Sequence, residues 1–129
     1  MILTFTPNPS LDRTVTIGSE LVPGSVHRTK EEMVDPGGKG INVGLGVARA
    51  EVPDDRLLAL LDREGLPYLA TDRSAPVRVN LAIISTPAVT TKVNEPGAEI
   101  SDEELEAFTT GFLDATGDGD QVMMCGALA

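Results

Sequence analysis

Aromatic side chains are scarce in this chain of 129 residues, which has no Trp, one Tyr and three Phe. A core must therefore be assembled from Val, Leu, Ile and Ala, which suits a parallel sheet buried on both faces by helices. Cysteine is equally thin. Cys125 stands alone, so no internal disulfide can form and nothing marks the chain as secreted. With no base near it in sequence, Cys125 reads as a core residue rather than a nucleophile. No apolar run approaches the roughly 20 residues of a membrane span, and no basic-then-apolar leader opens the sequence, so the expectation is a cytoplasmic protein that does not enter a membrane. His27 is the single histidine, and a lone histidine reads as a surface or packing residue before it reads as a catalyst. Bases are missing from one end. All ten Lys and Arg lie at or before Lys92, against eleven of the twenty acids, and the other nine acids follow it. The net charge of −10 argues against nucleic acid as a partner. The nearly neutral front part, where Arg13, Arg28, Lys39, Arg78 and Lys92 fall in the stretches singled out below, leaves an anionic substrate reasonable.

What is present begins with glycine. In Asp35-Pro36-Gly37-Gly38-Lys39-Gly40-Ile41-Asn42, proline forces the residue before it to run extended, and the glycines leave backbone amides uncovered. Apolar residues at Ile41, Val43, Leu45 and Val47 are read as a helix whose first turn carries unpaired N–H groups and the positive dipole end, where an anion belongs. Lys39 adds a positive charge and Asn42 can both donate to and accept from a hydroxyl. Phosphate plus hydroxyls suggests a phosphorylated sugar, while a glycine-rich turn that merely caps a helix remains open. The spelling is neither a Walker A loop nor G-x-G-x-x-G.

By length the chain is one domain. Met1–Thr6 is a strand candidate stopped by Pro7-Asn8-Pro9, which puts Asn8, Ser10 and Asp12 beyond its carboxyl end, where open α/β sheets bind ligands. Asp12 there can accept hydrogen bonds from two sugar hydroxyls, or it can simply pair with Arg13 in a solvated turn. Residues 13–17, 26–34, 77–85 and 89–94 read as short strands of a small separate sheet, with a turn at Pro23-Gly24. Alternation along 77–84 sets Arg78 and Asn80 on one face and Val79, Leu81 and Ile83 on the other. Arg78 can grip a phosphate bidentately. The apolar face needs cover, so the sheet suits a lid or a dimer contact. Residues 54–64 form a leucine-striped helix stopped by Gly65. Only Glu51-Val52-Pro53 separates it from the preceding helix, so the strand a βαβ chain needs there is unaccounted for. Residues 68–71 read as a short strand and 72–76 as a loop. Ser101-Asp102-Glu103-Glu104 is a capping box opening a helix with Leu105, Phe108 and Phe112 inward and Gly117 past its end. Residues 121–125 read as a continuous apolar strand beside the first one.

Taken in order, Thr6-Pro-Asn-Pro-Ser-Leu-Asp-Arg-Thr14, Asp35-Pro-Gly-Gly-Lys-Gly-Ile-Asn-Val43, Val77-Arg-Val-Asn80, Thr91-Lys-Val-Asn-Glu-Pro-Gly97 and Cys125-Gly-Ala-Leu128 make the chain resemble the PfkB group of ribokinase-like sugar kinases. The 1-phosphofructokinase branch is nearest and the tagatose-6-phosphate kinases next. The resemblance implies an α/β fold, a partial ribokinase-like core of parallel sheet and helices with a small β lid. The lid segments are about 13–34 and 77–96, within the N-terminal part of a kinase domain. It implies sugar-phosphate binding by Asp12, by Gly37, Gly38, Lys39 and Asn42, by Arg78 and Asn80 from the lid, and by Arg28, reaching the phosphate across a dimer formed through the lid. It implies ATP and Mg²⁺ as cofactors of the complete enzyme and conversion of fructose 1-phosphate to fructose 1,6-bisphosphate. The alternative is a non-catalytic sugar-phosphate-binding or dimerisation module. The Gly-Ala-Gly-Asp motif that holds the family's base is absent, so no catalytic residue and little of the ATP site are expected here. Ala115-Thr116-Gly117-Asp118 imitates that motif between a helix and a strand, the wrong context for the base. Ala127 stands where a serine is usual in the family.

Overall fold

A computed structural model describes residues 2–41, 47–50 and 56–126, with backbone only for 47–50. Strand β1 (Ile2–Phe5) leads the chain and pairs in parallel with β8 (Gln121–Met124), the last strand described. This is the neighbour the apolar run at 121–125 predicted. The burial differs from expectation: Leu3 and Phe5 are buried, whereas every residue of β8 is exposed. Val122, Met123 and Met124 are apolar without being core.

The small sheet has four strands, β2 (Ser10–Ile17), β3 (Thr29–Gly37), β6 (Arg78–Ser85) and β7 (Val89–Asn94), in the order β3-β2-β6-β7. Hairpin pairing joins β2 to β3 and β6 to β7, and the central pair β2-β6 is parallel. Strand β3 runs three residues further than the sequence suggests and carries Pro36 inside it. An edge strand tolerates this, because one side of its backbone has no ladder to break.

The largest correction concerns Val47. It begins β4 (Val47–Ala50), which pairs in parallel with β5 (Ala70–Arg73). The strand that a βαβ chain requires is therefore present, ahead of Ala50 rather than after it. Apolar positions 41, 43, 45 and 47 recur every second residue, the period of a strand and not of a helix. Asn42, Val43 and Leu45 lie outside the described residues, as do Asp54 and Asp55, the first two residues of the helix expected over 54–64.

Two packed clusters hold the elements. Helix α1 (Arg56–Arg63) buries Leu57 and Leu61 against Ile41, with Leu11, Leu58, Leu66, Tyr68 and Val77 around them. Gly65 ends it with a positive φ of 65°. Helix α2 (Asp102–Ala115) starts at the capping box predicted, the Ser101 hydroxyl accepting from the Glu104 amide while Glu104 accepts from the Ser101 amide. Its Phe108 stacks on Phe5 with centroids 4.2 Å apart, and Phe112 meets Phe5 edge-on at 5.0 Å. These are all three of the chain's phenylalanines, and together they fasten α2 to β1.

Candidate functional site

Cross-strand register builds the site. Ser10 lies opposite Gly37 on one side and Arg78 on the other, and Asp12 opposite Asp35 and Asn80. Because side chains alternate, Ser10, Asp12, Arg78 and Asn80 share one face, as the alternation predicted for the last two. On that face the Ser10 hydroxyl donates to Asp12 Oδ1 at 2.8 Å, and Asn80 Nδ2 donates to the same oxygen at 2.9 Å and to Ser10 Oγ at 3.1 Å. Both bonds to the carboxylate enter through Oδ1. Among the described residues Oδ2 keeps its lone pairs for a ligand hydroxyl.

The glycine turn reaches the same place. A Cβ on Gly37 would strike the Asp12 carboxylate atoms directly. Gly38 has φ 136°, accessible to glycine and few others, and its carbonyl accepts from the Ile41 amide at 3.1 Å. The Gly40 carbonyl accepts from Thr4 Oγ1 at 2.7 Å, which ties the turn to β1. A Cβ on Gly40 would meet Thr6 Oγ1, a buried hydroxyl with no hydrogen-bond partner. Packing of backbone over Thr4 and Thr6 thus sets where these glycines sit, a role that sequence reading did not give to either threonine. Lys39, at the apex, is exposed.

Arg78 is differently employed from the phosphate grip expected of it. Nη1 donates to Glu95 O at 3.2 Å and, at a long 3.4 Å, to Asn80 Oδ1; Nη2 points to Asn8 O at 3.4 Å; Nε is buried without a partner. The guanidinium ties the loop after β7 to the turn after β1 and orients Asn80. Glu95 explains itself as well: its carboxylate accepts from the Val79 amide at 2.7 Å, and its own amide donates to Val79 O at 3.2 Å, continuing the ladder past Asn94. Arg28 is not brought to this group. It precedes Thr29, which lies opposite Ile17 or nearly so, at the far end of the hairpin. Five residues separate Ile17 from Asp12, roughly 17 Å of strand. His27 bonds to Ser19 and Val22 at that same remote end.

Beside Asp12 the sheet face dips into a hollow of about 230 Å³ lined by Asp12, Arg13, Thr14, Asn80, Leu81, Ala82, Lys92 and Asn94. Lys92 lies opposite Ala82 and Asn94 opposite Asn80, so β7 carries the far wall. Lys92 entered the sequence reading as one of five bases compatible with an anionic substrate and as part of a motif, and Asn94 not as a site residue at all; their alternation in Thr91-Lys-Val-Asn94 was the signal available. For the ATP and Mg²⁺ of the family, the described residues offer no group of three His, Cys, Asp or Glu side chains that would hold a metal ion.

A parallel β1-β8 pair, a glycine turn over its end and a four-stranded sheet closing on that turn define the class as a ribokinase-like α/β protein. Solved structures agree on the fold. Phosphofructokinase-2 from Escherichia coli in complex with fructose-6-phosphate superposes with a TM-score of 0.89 at 23% identity over 98% of this chain and 45% of that one. Ribokinase from Thermotoga maritima gives 0.62 at 20% identity over 76% of this chain and 37% of that one. No family model matches. In sequence, the chain is 30% identical over 139 residues to 1-phosphofructokinase of Bacillus subtilis (strain 168), covering 99% of this chain and 45% of that relative. It is 54% identical over 43 residues to 1-phosphofructokinase of Haloferax volcanii, covering 33% of this chain. The chain is similar in sequence to 1-phosphofructokinases and in fold to ribokinase-like proteins, and it spans a little under half the length of the relatives it matches along its whole extent.

Proposed function

We propose that this chain supplies the sugar-phosphate site of an ATP-dependent kinase which, complete, converts fructose 1-phosphate to fructose 1,6-bisphosphate. The observation that carries the proposal is the meeting of Asp12, Ser10 and Asn80 with Gly37 pressed beneath them. A carboxylate steadied through one oxygen, its other oxygen open, accepts from sugar hydroxyls at a fixed angle. Phosphoryl transfer rests on positioning and charge neutralisation, and the residues here serve the positioning. The 1-phosphofructokinase names of the sequence relatives support the substrate. The apolar face of the sheet, with Val89 and Val93 more than half exposed, supports a homodimer formed through it, in the cytoplasm.

Calorimetric titration with fructose 1-phosphate tests the site. The wild-type chain is expected to bind saturably, and Asp12→Asn to weaken binding about 10- to 100-fold, the range for losing hydrogen bonds to a charged group. Saturable binding that Asp12→Asn leaves unchanged would sink the proposal. A second reading is a binding or dimerisation module without turnover. Adding ATP and Mg²⁺ separates the two: turnover above background supports a kinase, binding alone supports the module.

A further inference from the structure

Resting on that reading of the site, we infer that Thr6 is a positioning residue for the sugar phosphate: its hydroxyl holds the Lys39–Gly40 peptide in the orientation that turns the Gly40 N–H toward a ligand oxygen. The glycine turn is pinned unevenly. The peptide after Gly40 is held at both ends, its carbonyl accepting from Thr4 Oγ1 at 2.7 Å and its N–H, that of Ile41, donating to Gly38 O at 3.1 Å. The peptide before Gly40 is held at neither. Among the described residues nothing donates to the Lys39 carbonyl, and the Gly40 amide donates to no carbonyl.

That loose peptide lies over a hydroxyl that is unpaired as well. Thr6 is 1% exposed, and among the described residues its Oγ1 has no hydrogen-bond partner. A Cβ on Gly40 would meet this oxygen before any other atom, so the hydroxyl rests against the Gly40 α-carbon, one bond from the amide nitrogen and three from the Lys39 oxygen. A buried hydroxyl left unpaired is unfavourable, and Thr4, two residues earlier and on the same side, bonds the very next peptide of the turn. In a trans peptide the N–H and C=O point opposite ways. When the Lys39–Gly40 unit turns its N–H to the open side, where the exposed Lys39 stands, its carbonyl turns onto Thr6 and the hydroxyl donates to it. Both orphaned groups are then used. The rotation works ψ of Lys39 against φ of Gly40, and a residue without a Cβ leaves that φ unrestricted. A ligand oxygen that accepts from the Gly40 N–H in one orientation and not in the other shifts the peptide by that difference, and Thr6 adds its own bond to the same orientation.

The test sets stability against affinity in Thr6→Val, Thr6→Ser and Thr4→Val, each measured on the full chain by urea unfolding and by titration with fructose 1-phosphate. Valine keeps the shape of threonine without its hydroxyl. Thr6→Val is expected to leave the urea midpoint at or above that of wild type, since Oγ1 is unpaired, and to weaken fructose 1-phosphate binding about three- to tenfold, the range for one hydrogen bond. Thr6→Ser keeps the hydroxyl and should bind as wild type does. Thr4→Val removes a bond already made, so its urea midpoint should fall. A purely structural Thr6 would lose stability and affinity together. If Thr6→Val lowers the midpoint, or binds as tightly as wild type while Asp12→Asn does not, the inference is overturned and the site stands. If fructose 1-phosphate does not titrate on wild type, the reading of the site fails and the inference with it.

Discussion

Gly37 and Gly24 are both glycines in turns or strand ends, and they should respond to alanine in opposite ways. At Gly37 the added methyl collides with the Asp12 carboxylate, so Gly37→Ala must push Asp12 off Ser10 and Asn80. Fructose 1-phosphate affinity is expected to fall about as far as in Asp12→Asn, with a smaller effect on stability, read by titration and urea unfolding of the same sample. Gly24 has φ 80° and open space around it. Gly24→Ala should cost about 1 kcal/mol of stability through backbone strain alone and leave binding untouched. The position of Asp12 past the carboxyl end of β1 was legible because Pro7-Asn8-Pro9 stops that strand. The structural use of Arg78 was not, because which carbonyl oxygens come within reach of a guanidinium depends on residues seventy and seventeen positions away.

Besides its phenylalanine packing, helix α2 is tied to the turn after β5 through one carboxylate. Hydrogen bonds from the Ser74 amide, the Ser101 amide and the Ser74 hydroxyl, with Arg73 nearby, lower the Glu104 pKa from 4.5 to about 2. Only 13% of its side chain is exposed, so solvent screens these contacts little. A depressed carboxylate contributes stability that is full above the unfolded value of about 4.5 and is lost as pH falls toward 2. Glu104→Gln is therefore expected to cost about 1–3 kcal/mol at pH 7, with the gap to wild type narrowing below pH 4.5 in urea melts taken across that range. The same helix presents Phe108 to Phe5. Phe108→Ala should cost about 3–5 kcal/mol, whereas Met124→Ser on exposed β8 should change stability by no more than about 0.5 kcal/mol. The capping box was readable because it is a four-residue pattern. Strand β4 was misread as helix because its partner, β5, lies twenty residues on.

Over the whole molecule the surface is large for the mass. The chain exposes 8083 Å², against about 6,500 Å² for a compact monomer of 13.5 kDa. On the proposed dimer through the apolar face of the sheet, sedimentation velocity should show a species of about 27 kDa, twice the chain mass of 13.5 kDa, and Val93→Asp should return it to the monomer; a wild-type chain that stays monomeric at high concentration would count against the dimer. By itself the sequence determined what depends on neighbours along the chain: the strand at 2–5, the hairpin strands, both helices, the glycine turn, and the alternation that sets Arg78 and Asn80 on one face. Tertiary structure alone decided which of those polar groups are spent and which are free. Hydrogen bonds across strands distant in sequence occupy Arg78, leave one oxygen of Asp12 open, and bring Lys92 to the far wall of the same hollow.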